Sequence, residues 1–146
     1  MSYIYSGGQC AARILGRSGV SQSNAEAMRQ IMQRACDGTP EGVQAAAALM
    51  SDDLRMWQQG SGWLTKADKI KMWTASNAAA GGLTSDIRNL VATGDSVAME
   101  AVVSTPKGDM LVVMFGRFRD GKMIEGREYF PPASPAEAFK QQQEVA

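Results

Sequence analysis

The sequence predicts an α+β domain in which helices come first and an antiparallel sheet follows. Three observations carry that prediction. Up to Gly81-Gly82, apolar residues recur at helical spacing between recognisable start and stop signals. From Ser85 onward the spacing changes to two, the period of a strand. The later connections, Gly94-Asp95, Pro106-Lys107-Gly108-Asp109 and Asp120-Gly121, are too short to cross over for parallel pairing and suit hairpins.

The elements follow in order. Residues 1–22, with Gly7, Gly8, Gly16 and Gly19 between short apolar groups, are expected to form a flexible arm. Ser23 and Glu26 have capping-box spacing, and Met28, Ile31, Met32 and Ala35 recur at helical period until Gly38 ends the run. Thr39-Pro40-Glu41 repeats the start signal, with Val43, Ala46, Ala47 and Met50 as a second apolar stripe. Ser51-Asp52-Asp53 is expected to break that helix before a short strand, Leu54–Trp57, and the turn Gly60-Ser61-Gly62. Thr65 and Asp68 open a third helix whose apolar side is expected at Ala67, Ile70, Trp73 or Thr74, and Ala78. Four strands then form a meander over 85–93, 96–105, 110–119 and 122–130. The domain is expected to span 23–133, and residues 134–146 to form a surface tail.

Composition narrows the function. A chain of 146 residues, 45% hydrophobic, builds one core and not two ordinary ones. Fifteen basic and fifteen acidic residues cancel, so no broad field gathers a polyanion or an anionic membrane, and nucleic acid is not an expected partner. No segment reaches the roughly 20 apolar residues of a membrane span, so the expectation is a cytoplasmic protein with no membrane partner. The two cysteines, Cys10 and Cys36, read as free thiols. With no histidine and no CxxC pair, zinc sites of the usual kind and histidine acid–base catalysis fall away. No phosphate-binding glycine motif occurs, so no cofactor is expected. The segment Met110–Phe115 is apolar on both faces of its strand, which predicts a covering partner and hence a homodimer.

Gly94-Asp95-Ser96-Val97, followed by the string from Gly116-Arg117-Phe118-Arg119-Asp120-Gly121 to Lys122-Met123-Ile124-Glu125-Gly126-Arg127-Glu128-Tyr129-Phe130, resembles the nuclear transport factor 2-like superfamily. Its SnoaL-like, ketosteroid isomerase-like and limonene-epoxide-hydrolase-like branches are the most similar. That resemblance implies a cone-shaped, cystatin-like roll, with three N-terminal helices closing a bent sheet around a largely apolar cavity. Trp57, Trp63, Met72, Trp73, Met99, Met114 and Phe130 are the large groups available to line it or simply to fill it.

The resemblance also implies a pocket carboxylate at Glu128, the acid of Arg127-Glu128-Tyr129-Phe130. Alternation puts it on one face with Ile124, Gly126 and Phe130, where an apolar setting suits proton transfer. A surface pairing with Arg127 or Arg117 is its structural alternative. Asp53, beside Asp52, is a second catalytic candidate, although helix termination explains both acids without chemistry. Gln58 and Gln59 follow Trp57 where the resemblance implies polar groups that bind substrate or water, with a solvated loop as the alternative, and Arg88 could face inward and pair with Glu128. The epoxide-hydrolase branch needs an arginine and an aspartate where this chain has Ala101 and Val103. The functions left open are threefold: a domain binding a small apolar organic molecule with isomerase-, cyclase- or lyase-type proton transfer; a non-catalytic binding or dimerisation module; and an epoxide hydrolase with an altered catalytic set.

Overall fold

The computed structural model describes residues 13–14, 19–81 and 83–132. Its helices are α1 (Gly19–Ala35), α2 (Pro40–Ala48) and α3 (Lys66–Ala80). Local chemistry sets their ends. At α2 the Thr39 hydroxyl accepts the Gly42 N–H, with Pro40 at the first helical position. At α3 Thr65 and Asp68 form a reciprocal capping box, and Gly81 closes the helix in the left-handed conformation, φ 65°.

α1 begins earlier than the Ser23 signal suggests. Ser21 and Asn24 are buried, and both donate to the Gly94 carbonyl, at 3.4 and 3.2 Å. The start of the helix is therefore anchored on the Gly94-Asp95 turn. Arg13–Ile14, placed in the expected arm, form a short strand, β1, parallel to β4. The rest of residues 1–18 and the tail from 133 onward lie outside the described residues.

The remaining strands are β2 (Met50–Gln58), β3 (Gly62–Leu64), β4 (Thr84–Thr93), β5 (Ser96–Thr105), β6 (Gly108–Arg119) and β7 (Lys122–Tyr129). They form one sheet in the order β1-β4-β5-β6-β7-β2-β3. The expected meander is β4 to β7, antiparallel throughout. The sheet as a whole is mixed, because β2 joins it parallel to β7. Ser51-Asp52-Asp53, expected to be a break, lies inside β2, where an irregularity between Met50 and Arg55 absorbs the exposed acids. The turn at Gly60 and Gly62, with φ near +84° and +80°, folds β3 back on β2.

Irregularities between Ile87 and Asn89 and between Arg117 and Phe118 bend the sheet around the helices. Inside the bend, Met28 and Ile31 of α1 pack on inward residues such as Leu90, Met99 and Met123. Gly116 and Gly126 face each other across β6 and β7. A Cβ on Gly116 would come 2.7 Å from Met28 Cε, and one on Gly126 would come 2.6 Å from Met56 Sδ. Methionine thus fills that part of the interior to contact. The space left over lies further along the same strands, toward Met114 and Glu128.

Candidate functional site

The parallel register of β2 and β7 sets Gln58 directly opposite Glu128. The Gln59 N–H donates to the Glu128 carbonyl at 2.9 Å, and the Phe130 N–H donates to Gln59 Oε1 at 2.8 Å, fixing the strand ends together. Alternation then turns both Gln58 and Glu128 inward, and both are buried. Lys69, in the first turn of α3 after its capping box, reaches down onto them. Its Nζ donates to Glu128 Oε2 at 2.7 Å and to Gln58 Oε1 at 2.8 Å. The two charged side chains are only 3% and 8% exposed. One turn further along α3, the Trp73 ring centroid lies 5.0 Å from the same ammonium group. A buried charge is stable only when paired and hydrogen-bonded. Here the carboxylate, the amide and the aromatic face together meet that need.

This cluster forms part of the wall of a cavity of about 350 Å³, within the usual range for small-ligand sites. α1 contributes Ile31 and Met32, with Cys36 just past its end, α3 contributes Met72 and Trp73, and the sheet contributes Val103, Val112 and Met114, with Phe130 just past β7. Lys107 and Pro106 of the β5–β6 turn also border it. Cys36 is a buried free thiol. Burial, and secondarily the Glu128 carboxylate, push it from the ordinary 9.0 up to about 11, with Lys69 acting in the opposite direction. It is therefore a neutral thiol at neutral pH. The arrangement can hold an apolar molecule against one hydrogen-bonding corner that contains a proton donor and a proton acceptor.

A family model described as SnoaL-like domain matches residues 37–126, more than half of the chain. The chain belongs to the SnoaL-like domain family. Known structures agree on the fold. A candidate ketosteroid isomerase from Kribbella flavida is 20% identical, with a TM-score of 0.65 over 78% of this chain and 82% of that one. A candidate SnoaL-like polyketide cyclase from a Jannaschia species is 16% identical, with a TM-score of 0.69 over 87% and 95%. A de novo designed protein with a curved β-sheet also matches, 14% identical, with a TM-score of 0.64 over 90% and 100%. A designed scaffold among the neighbours underlines that the shape alone carries no chemistry. No curated protein sequence matches the chain.

Within this SnoaL-like domain the candidate residues separate. Glu128, Gln58, Trp73, Met114 and Phe130 all border the cavity. Asp53 does not: it is exposed on the irregular part of β2, accepting a hydrogen bond from Ser51 and facing Arg119 at 3.5 Å. Trp57 also lies elsewhere, because it alternates with Gln58 and so projects from the outer face, where its ring packs on Tyr129 with centroids 5.2 Å apart. Arg88 sits at the β4 irregularity, exposed and paired with Asp86 at 2.6 Å, and the expected Arg88–Glu128 pair does not form. Met99 is fully packed in the core and does not border the cavity. Ala101 and Val103 point inward and are buried, and among the described residues the cavity wall contains neither aspartate nor arginine.

Lys69 is absent from the sequence-derived candidates. Of the expected apolar side of α3, Ile70 and Trp73 pack against the core, whereas Ala67, Ala78 and Thr74, the alternative to Trp73, are exposed. The buried positions are Lys69 and Asn77, with the half-buried Trp73 between them. That four-residue spacing marks one helix face, but two of its three members are polar and give no apolar stripe. The signal available was a lysine one turn before a tryptophan.

Proposed function

We propose that this SnoaL-like domain binds a small apolar carbonyl compound in its cavity and transfers a proton at the carbon beside the carbonyl. Glu128 is the base. The Lys69 ammonium, donating to Glu128 and Gln58, has a third N–H to offer a carbonyl oxygen, where negative charge develops as the proton leaves. Isomerisation, cyclisation and elimination all begin with that step. The observation that carries the reading is the burial of Glu128 and Lys69 together in the wall of a cavity otherwise largely apolar. The neighbours described as isomerase and cyclase candidates are consistent with it. Residues Phe115 and Trp63, each 48% exposed on or beside the outer sheet, support a second copy as the cover of that face. Sedimentation analysis of the purified chain tests the dimer.

One observation favours the non-catalytic alternative: Glu128 already has a partner at 2.7 Å, so the pair could be a fixed strut in a binding module. Benzylacetone in heavy water separates the two. The expected result is saturable binding, with deuterium entering the ketone's α-carbons faster than in buffer alone. Binding without accelerated exchange would leave the binding module as the function.

A further inference from the structure

We propose that Lys69 is a covalent centre, its amine forming a Schiff base with the carbonyl carbon of a small apolar aldehyde or ketone held in the cavity. This rests on the cavity-binding part of the function proposed above and goes beyond proton transfer at Glu128.

Three observations point to it. Among the described lysines, Lys69 is the buried one: Lys66 is half-buried, and Lys71, Lys107 and Lys122 are exposed. Its ammonium borders the cavity and is held by Glu128, Gln58 and the Trp73 ring, so its direction is fixed before any ligand arrives. A proton acceptor stands 2.7 Å away. Cys36, the thiol in the wall, is kept neutral by burial, and Lys107, the other amine bordering the cavity, is exposed on the β5–β6 turn. A buried lysine with a carboxylate at 2.7 Å supplies the amine and the group that takes its proton, the two parts that imine formation needs.

The step balances without a further reactant. Glu128 takes one proton from the ammonium, and the neutral amine adds to the carbonyl carbon, forming the C–N bond. A second proton moves from nitrogen to the former carbonyl oxygen, giving a carbinolamine. Glu128 returns its proton to that hydroxyl, which leaves as water when the C–O bond breaks. The product is an iminium with one N–H, again paired with the Glu128 carboxylate, and the charge of the site is unchanged. The iminium then draws electrons from the adjacent carbon more strongly than a carbonyl does.

The test treats the intact chain with benzaldehyde and sodium cyanoborohydride, then maps benzylated lysines by peptide mass spectrometry. Benzaldehyde has no α-proton, so imine formation is read apart from proton transfer. Lys69 is expected to be labelled at least about tenfold faster than Lys71 or Lys122, which lie away from the cavity, and Glu128→Gln is expected to slow it. The wild-type pattern is decisive by itself should that variant fold poorly. Labelling of Lys69 no faster than of Lys71 and Lys122 overturns the proposal. Shifts of the Met72 and Met114 methyl resonances on adding benzaldehyde alone report occupancy. Occupancy without Lys69 labelling overturns the covalent step and spares the cavity-binding reading; neither occupancy nor labelling overturns both.

Discussion

Two lysines from one helix reach the same sheet and make opposite kinds of ion pair. Lys66 donates to Asp52 at 2.9 Å, with its partner's side chain 98% exposed. Lys69, three residues later, donates to Glu128 at 2.7 Å, with both groups almost wholly buried. The distances barely differ. In water the attraction is screened and offset by the cost of ordering two long side chains. In the interior the same attraction must offset the desolvation of two charges, and it leaves either one stranded if the other is removed. The first pair ties down a helix start; the second joins α3 to β7 in the cavity wall, where its strength depends on keeping water out.

The largest effect should come from breaking the buried pair on one side. Lys69→Met or Glu128→Leu is expected to lose about 3–5 kcal/mol of stability by urea unfolding, because the remaining partner is left buried without its counterpart. The double variant Lys69→Met/Glu128→Leu should regain most of that loss, giving a strongly non-additive cycle. Simple additivity would mean that the two groups do not interact. The next effect is in pH. Because the folded thiol of Cys36 titrates above its unfolded value, its contribution to stability is complete below about pH 9 and is lost as pH rises through about 11. Comparing wild type with Cys36→Ala across that window should show up to about 2 kcal/mol of pH-dependent difference, absent if the thiol is open to solvent. The smallest effect belongs to the exposed pair. Lys66→Ala or Asp52→Asn should cost no more than about 1 kcal/mol, shrinking further in high salt.

The comparison also explains what the sequence could disclose. The meander was legible because strand period and turn residues act locally, and Glu128 was legible from the string in which it stands. Gln58 was suggested only by the family resemblance, which left a solvated loop equally open. Asp53 looked equivalent to Glu128 as a residue type, but only the sheet decides that one acid faces water and the other faces α3. Lys69 was hidden for a related reason. Its inward face is defined by a partner 59 residues away, and a polar residue on a buried face leaves no hydropathy signal. The parallel β2–β7 pairing that assembles Gln58 and Glu128 is likewise a long-range fact, which no hairpin rule supplies.

The most direct test of the central claim sets the two pairs side by side in one reaction. Deuterium exchange at the α-carbons of benzylacetone is measured for wild type, Glu128→Gln and Asp52→Asn at equal folded concentration. The account predicts that Glu128→Gln lowers the catalysed rate by about 100-fold or more, while Asp52→Asn stays within about twofold of wild type. Equal rates in all three proteins would contradict it.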